Sequence, residues 1–273
     1  MLINFIYSLP NWALAILIVA IVLIYALGGQ MLVHRFVPAE RRRARNDVTD
    51  PVCALIGIVF AVLMAFVAVV VWQQFDTTER NVVLEASATS DLYRQALGYP
   101  EPLRSTLRKT VQDYIDTVIK KEWPLQQKGE MSPDAWRVLE AAHRAMLTFE
   151  PKTEGEKIVH QEQLKKMSEV MSLRRSRNYA TNQGISGQVW AVMIIGTMLM
   201  IAVIWFFGTD SPRAHLWMTG AVGLAIGLVL FLVAALDYPL RGELSVSPEA
   251  FEAVQVNIGR LAADEAKDAT AKR

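Results

Sequence analysis

Charge is missing from this sequence over four long stretches: residues 1–33, 52–75, 188–208 and 216–236 contain no Asp, Glu, Lys or Arg. Each is long enough to cross a hydrocarbon core of about 30 Å as a helix, which takes roughly 20 residues. A second absence excludes a soluble bundle. Helices that face water keep a polar stripe, and "VCALIGIVFAVLMAFVAVVVW" and "LWMTGAVGLAIGLVLFLVAAL" have none. Cysteine is nearly absent too. Cys53 stands alone inside the second apolar stretch, so no disulfide can form within the chain and the redox compartment is not read from it. The four histidines, His34, His143, His160 and His215, are scattered without metal-ligand spacing, so no metal site and no cofactor are expected. There is no nucleotide-binding glycine loop, no HExxH, no GxSxG and no acidic pair within a span, so the chain is not expected to be an enzyme. A net charge of +1 provides no broad basic field, which excludes nucleic acid as a partner.

What is present points to an all-α fold: a polytopic membrane protein with four transmembrane helices and a helical extramembrane domain between helices two and three. A first hairpin fills residues 1–75, with spans at about 12–33 and 52–74. An insert covers 76–187, a second hairpin covers 188–236 with spans at about 188–208 and 216–236, and a tail follows at 237–273. The first apolar stretch lacks a positive leading segment and runs too long for a cleavable signal, so it reads as a retained span. In the insert, Val82, Val83, Ala86, Leu92 and Leu97 recur near a helical period. Span two should therefore continue as one long helix until Pro100 and Pro102 stop it. A further helix ends at Pro124, another opens at Ser132-Pro133, and "TEGEKIVHQEQLKKMSEVMSLRRSRNYA" is the next. The last residues, "AADEAKDATAKR", are small and charged and are expected to be disordered.

Between the first two spans lies "HRFVPAERRRARND", with Arg35, Arg41, Arg42, Arg43 and Arg45. Lys and Arg in short loops orient a membrane protein. The loop between spans three and four carries Arg213, and nothing basic precedes the first span. Both short loops are therefore expected on the cytoplasmic side, where the arginines act as a topology anchor on the anionic leaflet. The insert and both termini then lie opposite. In a bacterium this describes an inner-membrane protein with a periplasmic insert.

Ion-coupled transporters carry ionisable groups inside their spans, and none lies deep in these. A channel with an apolar constriction is compatible with them. The face of span two with Gly57, Phe60, Met64, Val67, Val71 and Gln74 is the candidate pore lining: in a ring of subunits it forms an apolar neck with a polar mouth. Glu85 and Glu122 with Arg174, Arg175 and Arg177 are the candidate charge network. Asp237, Pro239 and Gly242 mark a turn at the mouth of span four. Gly223 and Gly227 form a GxxxG pair that lets helix backbones approach closely. The expected function is a homo-oligomeric ion channel with span two lining the pore. Its partners are the lipid bilayer, inorganic ions and further copies of itself. The alternative is a non-conducting membrane sensor or scaffold whose insert binds a partner at a cleft near Glu122 and Arg174.

Several stretches in order resemble the bestrophin-like-domain family of bacterial and plant membrane proteins. They are "FAVLMAFVAVVVWQQFD" leading into "EASATSDLYRQA", then "YIDTVIKKEWP", "LRRSR", Trp190, and "LDYPLRGELSVSPEAF". Together they span about residues 50–255. Leu240 departs from the Phe frequent at that place in the family. The resemblance implies likeness to bestrophins, oligomeric anion channels with two hairpins around a large insert, and anion conduction follows by analogy alone. Their insert is cytoplasmic, whereas the arginines here place it on the other side.

Overall fold

The structure, a computed structural model, describes residues 6–44 and 46–271; Arg45, the fifth arginine of the expected anchor, lies outside them. The described residues form helices and no strand. In chain order these are α1 (Asn11–Phe36), α2 (Asn46–Gln95), α3 (Leu103–Thr117), α4 (Asp134–Leu147), α5 (Glu154–Ala180), α6 (Gly187–Trp205), α7 (Pro212–Leu236) and α8 (Glu249–Ala271), with short helices at Ala39–Arg43 and Trp123–Gln126. The helices α1, α2, α6 and α7 are long and apolar enough to cross a membrane. The chain is an all-α integral membrane protein. It divides into two compact units: Met1–Phe75 with Gly184–Tyr238 and Gly242–Leu244, and Asp76–Gln183 with Pro239–Arg241 and Ser245–Arg273.

In the first unit α1 packs most extensively on α7. A Cβ placed on Gly227 would stand 3.2 Å from the Val19 Cα, and one on Gly223 would stand 3.2 Å from the Ala26 Cβ. Numbering rises along α1 as it falls along α7, so the two run antiparallel at a separation that small residues permit. The core combines Val22 and Ala26 of α1, Phe60, Met64, Val67 and Val71 of α2, Met193 and Ile201 of α6, and Leu230 and Val233 of α7. Gly196 makes room for Phe60, whose ring would lie 2.7 Å from an added Cβ. The two short loops meet at one end. Arg42 Nη1 donates to the Phe207 carbonyl at 3.1 Å, Arg43 pairs with Asp210 at 2.6 Å, and the Asn46 amide bonds both N–H and C=O of Gly208 at 2.9 Å. Arg35 and Arg41 stay exposed.

In the second unit α2 runs on to Gln95, followed by a 3-10 turn at Ala96–Gly98. Pro124 does not stop the next helix outright. Proline lacks an N–H and its ring crowds the preceding turn; here α3 widens into a π-helical turn at Val118–Glu122 and continues as Trp123–Gln126. α5 opens with a capping box between Thr153 and Glu156. Lys272 and Arg273 lie outside the described residues, and as far as residue 271 the expectation of a disordered end at 262–273 is corrected: α8 extends to Ala271. Phe251 and Ile258 anchor it in the core, and Arg108 grips Glu265 through two hydrogen bonds at 2.5 and 2.7 Å.

Candidate functional site

The face of α2 expected to line a pore is turned inward. Phe60, Met64, Val67 and Val71 are 7% exposed or less, covered by α6 and α7 of the same chain. Gly57 packs toward Met200, 3.2 Å from a built Cβ, and Gln74 is half-buried. A side chain covered by its own bundle does not face a shared axis, so these residues serve packing within one copy. A residue in a helix turns about 100° from the one before it. The side of α2 diametrically opposite therefore carries Leu55, Ile58, Val62, Val69 and Gln73, all exposed. Along this side the first unit presents an uncovered apolar strip without charge.

The charge network assembles in the second unit. Glu85 projects from α2, Glu122 from the π-turn, and Arg174 and Arg177 from one face of α5, three residues apart. Arg177 is fully buried and forks onto Glu85, with Nε to Oε2 at 2.8 Å and Nη2 to Oε1 at 3.0 Å. The same Nη2 reaches Glu122 Oε2 at 3.2 Å, and Nη1 donates to Gln126 Oε1 at 2.7 Å. Arg174 donates to the other Glu122 oxygen at 2.5 Å. The Tyr114 hydroxyl donates to Glu85, and Gln126 donates to Asn178 at 2.8 Å. The Arg177 guanidinium also lies over the Trp123 ring, 5.2 Å from its centroid. Burial would lower its pKa, but Glu85 and Glu122 outweigh burial and hold it above its ordinary value. Burial, reinforced by the Glu85 charge, pushes the Tyr114 hydroxyl well up. Arg175 is exposed and takes no part.

Two carboxylates and two guanidiniums neutralise one another here. Glu122 and Arg174 are 0% and 3% exposed, so the cleft that a ligand-binding scaffold would need at this pair is closed. Sequence reasoning missed Tyr114, Gln126 and Asn178. The signal for Gln126 was Pro124, which forces the helix to rewind just before it.

The final turn is likewise occupied with structure. Asp237 accepts the Ile185 N–H at 2.6 Å and the Trp190 indole N–H at 3.1 Å, fixing the entry to α6. The Pro239 carbonyl accepts the Val246 N–H at 2.8 Å. Gly242 has φ +77° and faces Tyr7 at 3.2 Å from a built Cβ, a backbone that favours glycine. Among the described residues no three His, Cys, Asp or Glu side chains converge as metal ligands.

The sequence profile of the Bestrophin-like domain matches residues 20–251. The chain belongs to the bestrophin-like family. A crystal structure of a bacterial bestrophin homologue from Klebsiella pneumoniae superposes over 89% of this chain and 96% of its own, with 12% identity and a TM-score of 0.61. A variant of that homologue covers 88% and 95%, with 10% identity and a TM-score of 0.65. A further membrane-protein structure covers 92% and 98%, with 13% identity and a TM-score of 0.61. At such identities the likeness is one of fold. No curated protein matches the sequence. The charge network and the final turn are committed to packing, whereas the strip on α2 is left uncovered.

Proposed function

We propose that this bestrophin-like protein is a homo-oligomeric ion channel in which the outer face of α2, through Leu55, Ile58, Val62, Val69 and Gln73, lines a shared conduit. The observation that carries the reading is the uncharged strip itself. Apolar surface of that length, left bare by its own bundle, suits either lipid or neighbouring copies, and family membership favours the copies. An apolar neck gates by dewetting and selects weakly by charge. Anion preference comes from the bestrophin analogy, and a periplasmic insert comes from the arginines of the first short loop.

Reconstitution of the purified chain in a planar bilayer tests this. The expected result is a single-channel current whose reversal potential in a chloride gradient follows chloride. A cation reversal would overturn the anion reading alone. A monomer in detergent, or a bilayer without current, would overturn the channel and favour a non-conducting scaffold.

A further inference from the structure

A run of polar side chains lies between α1 and α7, and nothing in the proposed conduit uses it. The antiparallel register fixed by Ala26 against Gly223 advances one helical turn at a time. It sets Gln30 level with Thr219, and His34 level with His215. The histidine level is confirmed by contact: His34 Nε2 lies 3.2 Å from His215 Nδ1. His215 is 2% exposed, and its Nε2 lies 3.1 Å from the Ile204 carbonyl. A carbonyl only accepts, so Nε2 carries the proton and His215 Nδ1 presents its lone pair to His34. One turn along, both amide atoms of Gln30 and the Thr219 hydroxyl are buried without a hydrogen-bond partner. Buried polar groups left so are costly and call for an occupant.

We propose that His34 and His215 form a binding site for a late first-row divalent cation, Zn2+ in the first place, which clips α1 to α7. Zn–N bonds run about 2.0–2.1 Å. Two nitrogens 3.2 Å apart then subtend about 100° at the ion, close to tetrahedral. On binding, His34 shifts its proton from Nε2 to Nδ1, so that His34 Nε2 and His215 Nδ1 both present lone pairs to the ion. A carbonyl acceptor on the far nitrogen is the arrangement that orients metal-binding imidazoles. Water fills the remaining positions, and the unpartnered Gln30 amide and Thr219 hydroxyl one turn along offer it hydrogen-bond partners. Imidazole suits Zn2+ and its neighbours. Mg2+ and Ca2+ take oxygen ligands and are disfavoured by a pair of imidazoles. The charge of Arg42, whose Nη1 donates to the Phe207 carbonyl at 3.1 Å, bears on both rings and weakens the site.

Calorimetric titration of the full-length chain in detergent, free of any affinity tag, tests the site with ZnCl2. One ion per chain is expected, and MgCl2 should give no heat. His34→Ala and His215→Ala should each weaken binding by about tenfold or more, with helicity and elution volume unchanged. His34 is half-buried, whereas His215 is buried, so His34→Ala disturbs the packing less and decides the matter should His215→Ala fold poorly. The proposal is overturned if the unmodified chain takes up no Zn2+, or if His34→Ala binds as the unmodified chain does.

Discussion

Arg177 shows what single residues contribute to this protein. Its N–H groups are directed at two carboxylates and an amide, all buried. Such a cluster adds little net stability compared with an apolar core of equal volume, but removing one partner leaves an uncompensated charge and costs about 3–5 kcal/mol. Arg177→Met and Glu85→Ala are each expected to lower stability by that amount in thermal unfolding. Tyr114→Phe removes one hydrogen bond to a carboxylate and should cost about 1.5–3 kcal/mol. Changes below about 1 kcal/mol for Arg177→Met and Glu85→Ala together would show that the cluster is dispensable. Gly129 belongs to the same scale. Its φ is +79°, and a Cβ there would collide with the Arg241 guanidinium. Arg241 Nε in turn donates to the Thr181 carbonyl at 2.9 Å. Gly129→Ala should displace Arg241 and cost at least about 1 kcal/mol, since left-handed backbone and collision add.

Among the elements, α1 and α7 depend on small residues between them. Gly227→Val places methyl groups where Val19 already stands and should cost about 1–3 kcal/mol, read as a lower unfolding midpoint in detergent; an unchanged midpoint would refute the tight seam. The outer part of α8 depends on charge. Hydrogen bonds from Arg108 hold the Glu265 carboxyl below its ordinary 4.5, with burial opposing. A lowered folded pKa means that the contribution is present above the unfolded value and is lost as pH falls through the folded one. Protection of the amides in the last turns of α8, corrected for the intrinsic pH dependence of exchange, should therefore fall below about pH 4.5, and protection that stays constant there would refute the grip.

These elements also show what the sequence could reveal. Uncharged runs specified the spans, because length acts locally, while GxxxG marked a close helix approach without naming α1 as the partner. The i,i+3 spacing of Arg174 and Arg177 is enough to put both on one face of α5. The inward face of α2 was not legible: Phe60 and Val62 are equally apolar, and only packing on Gly196 tells which is covered. The helical end of α8 was hidden for a similar reason. Its residues are small and charged, and Glu265 finds Arg108 from 157 positions away. His34 and His215, scattered in the sequence, meet across 181 positions.

At the scale of the whole molecule, sidedness and assembly are linked to two local features: the arginines and the bare strip on α2. The two short loops meet at one end of the first unit, and the proposed orientation, carried by the arginines, sets that end on the cytoplasmic side. In intact bacterial cells, with Cys53 replaced by serine, an impermeant thiol reagent should label Ser172→Cys in the insert and spare Arg41→Cys. The reverse pattern would place the insert in the cytoplasm, as in bestrophins. Conduction is tested most directly by recording from reconstituted channels, again with Cys53 replaced, before and after thiol modification at single sites. Modification of Val62→Cys or Ile58→Cys should block the current, while Met64→Cys and Val67→Cys should be insensitive. No current at all, or a block at Met64 and Val67 that spares Val62 and Ile58, would contradict a conduit lined by the outer face of α2.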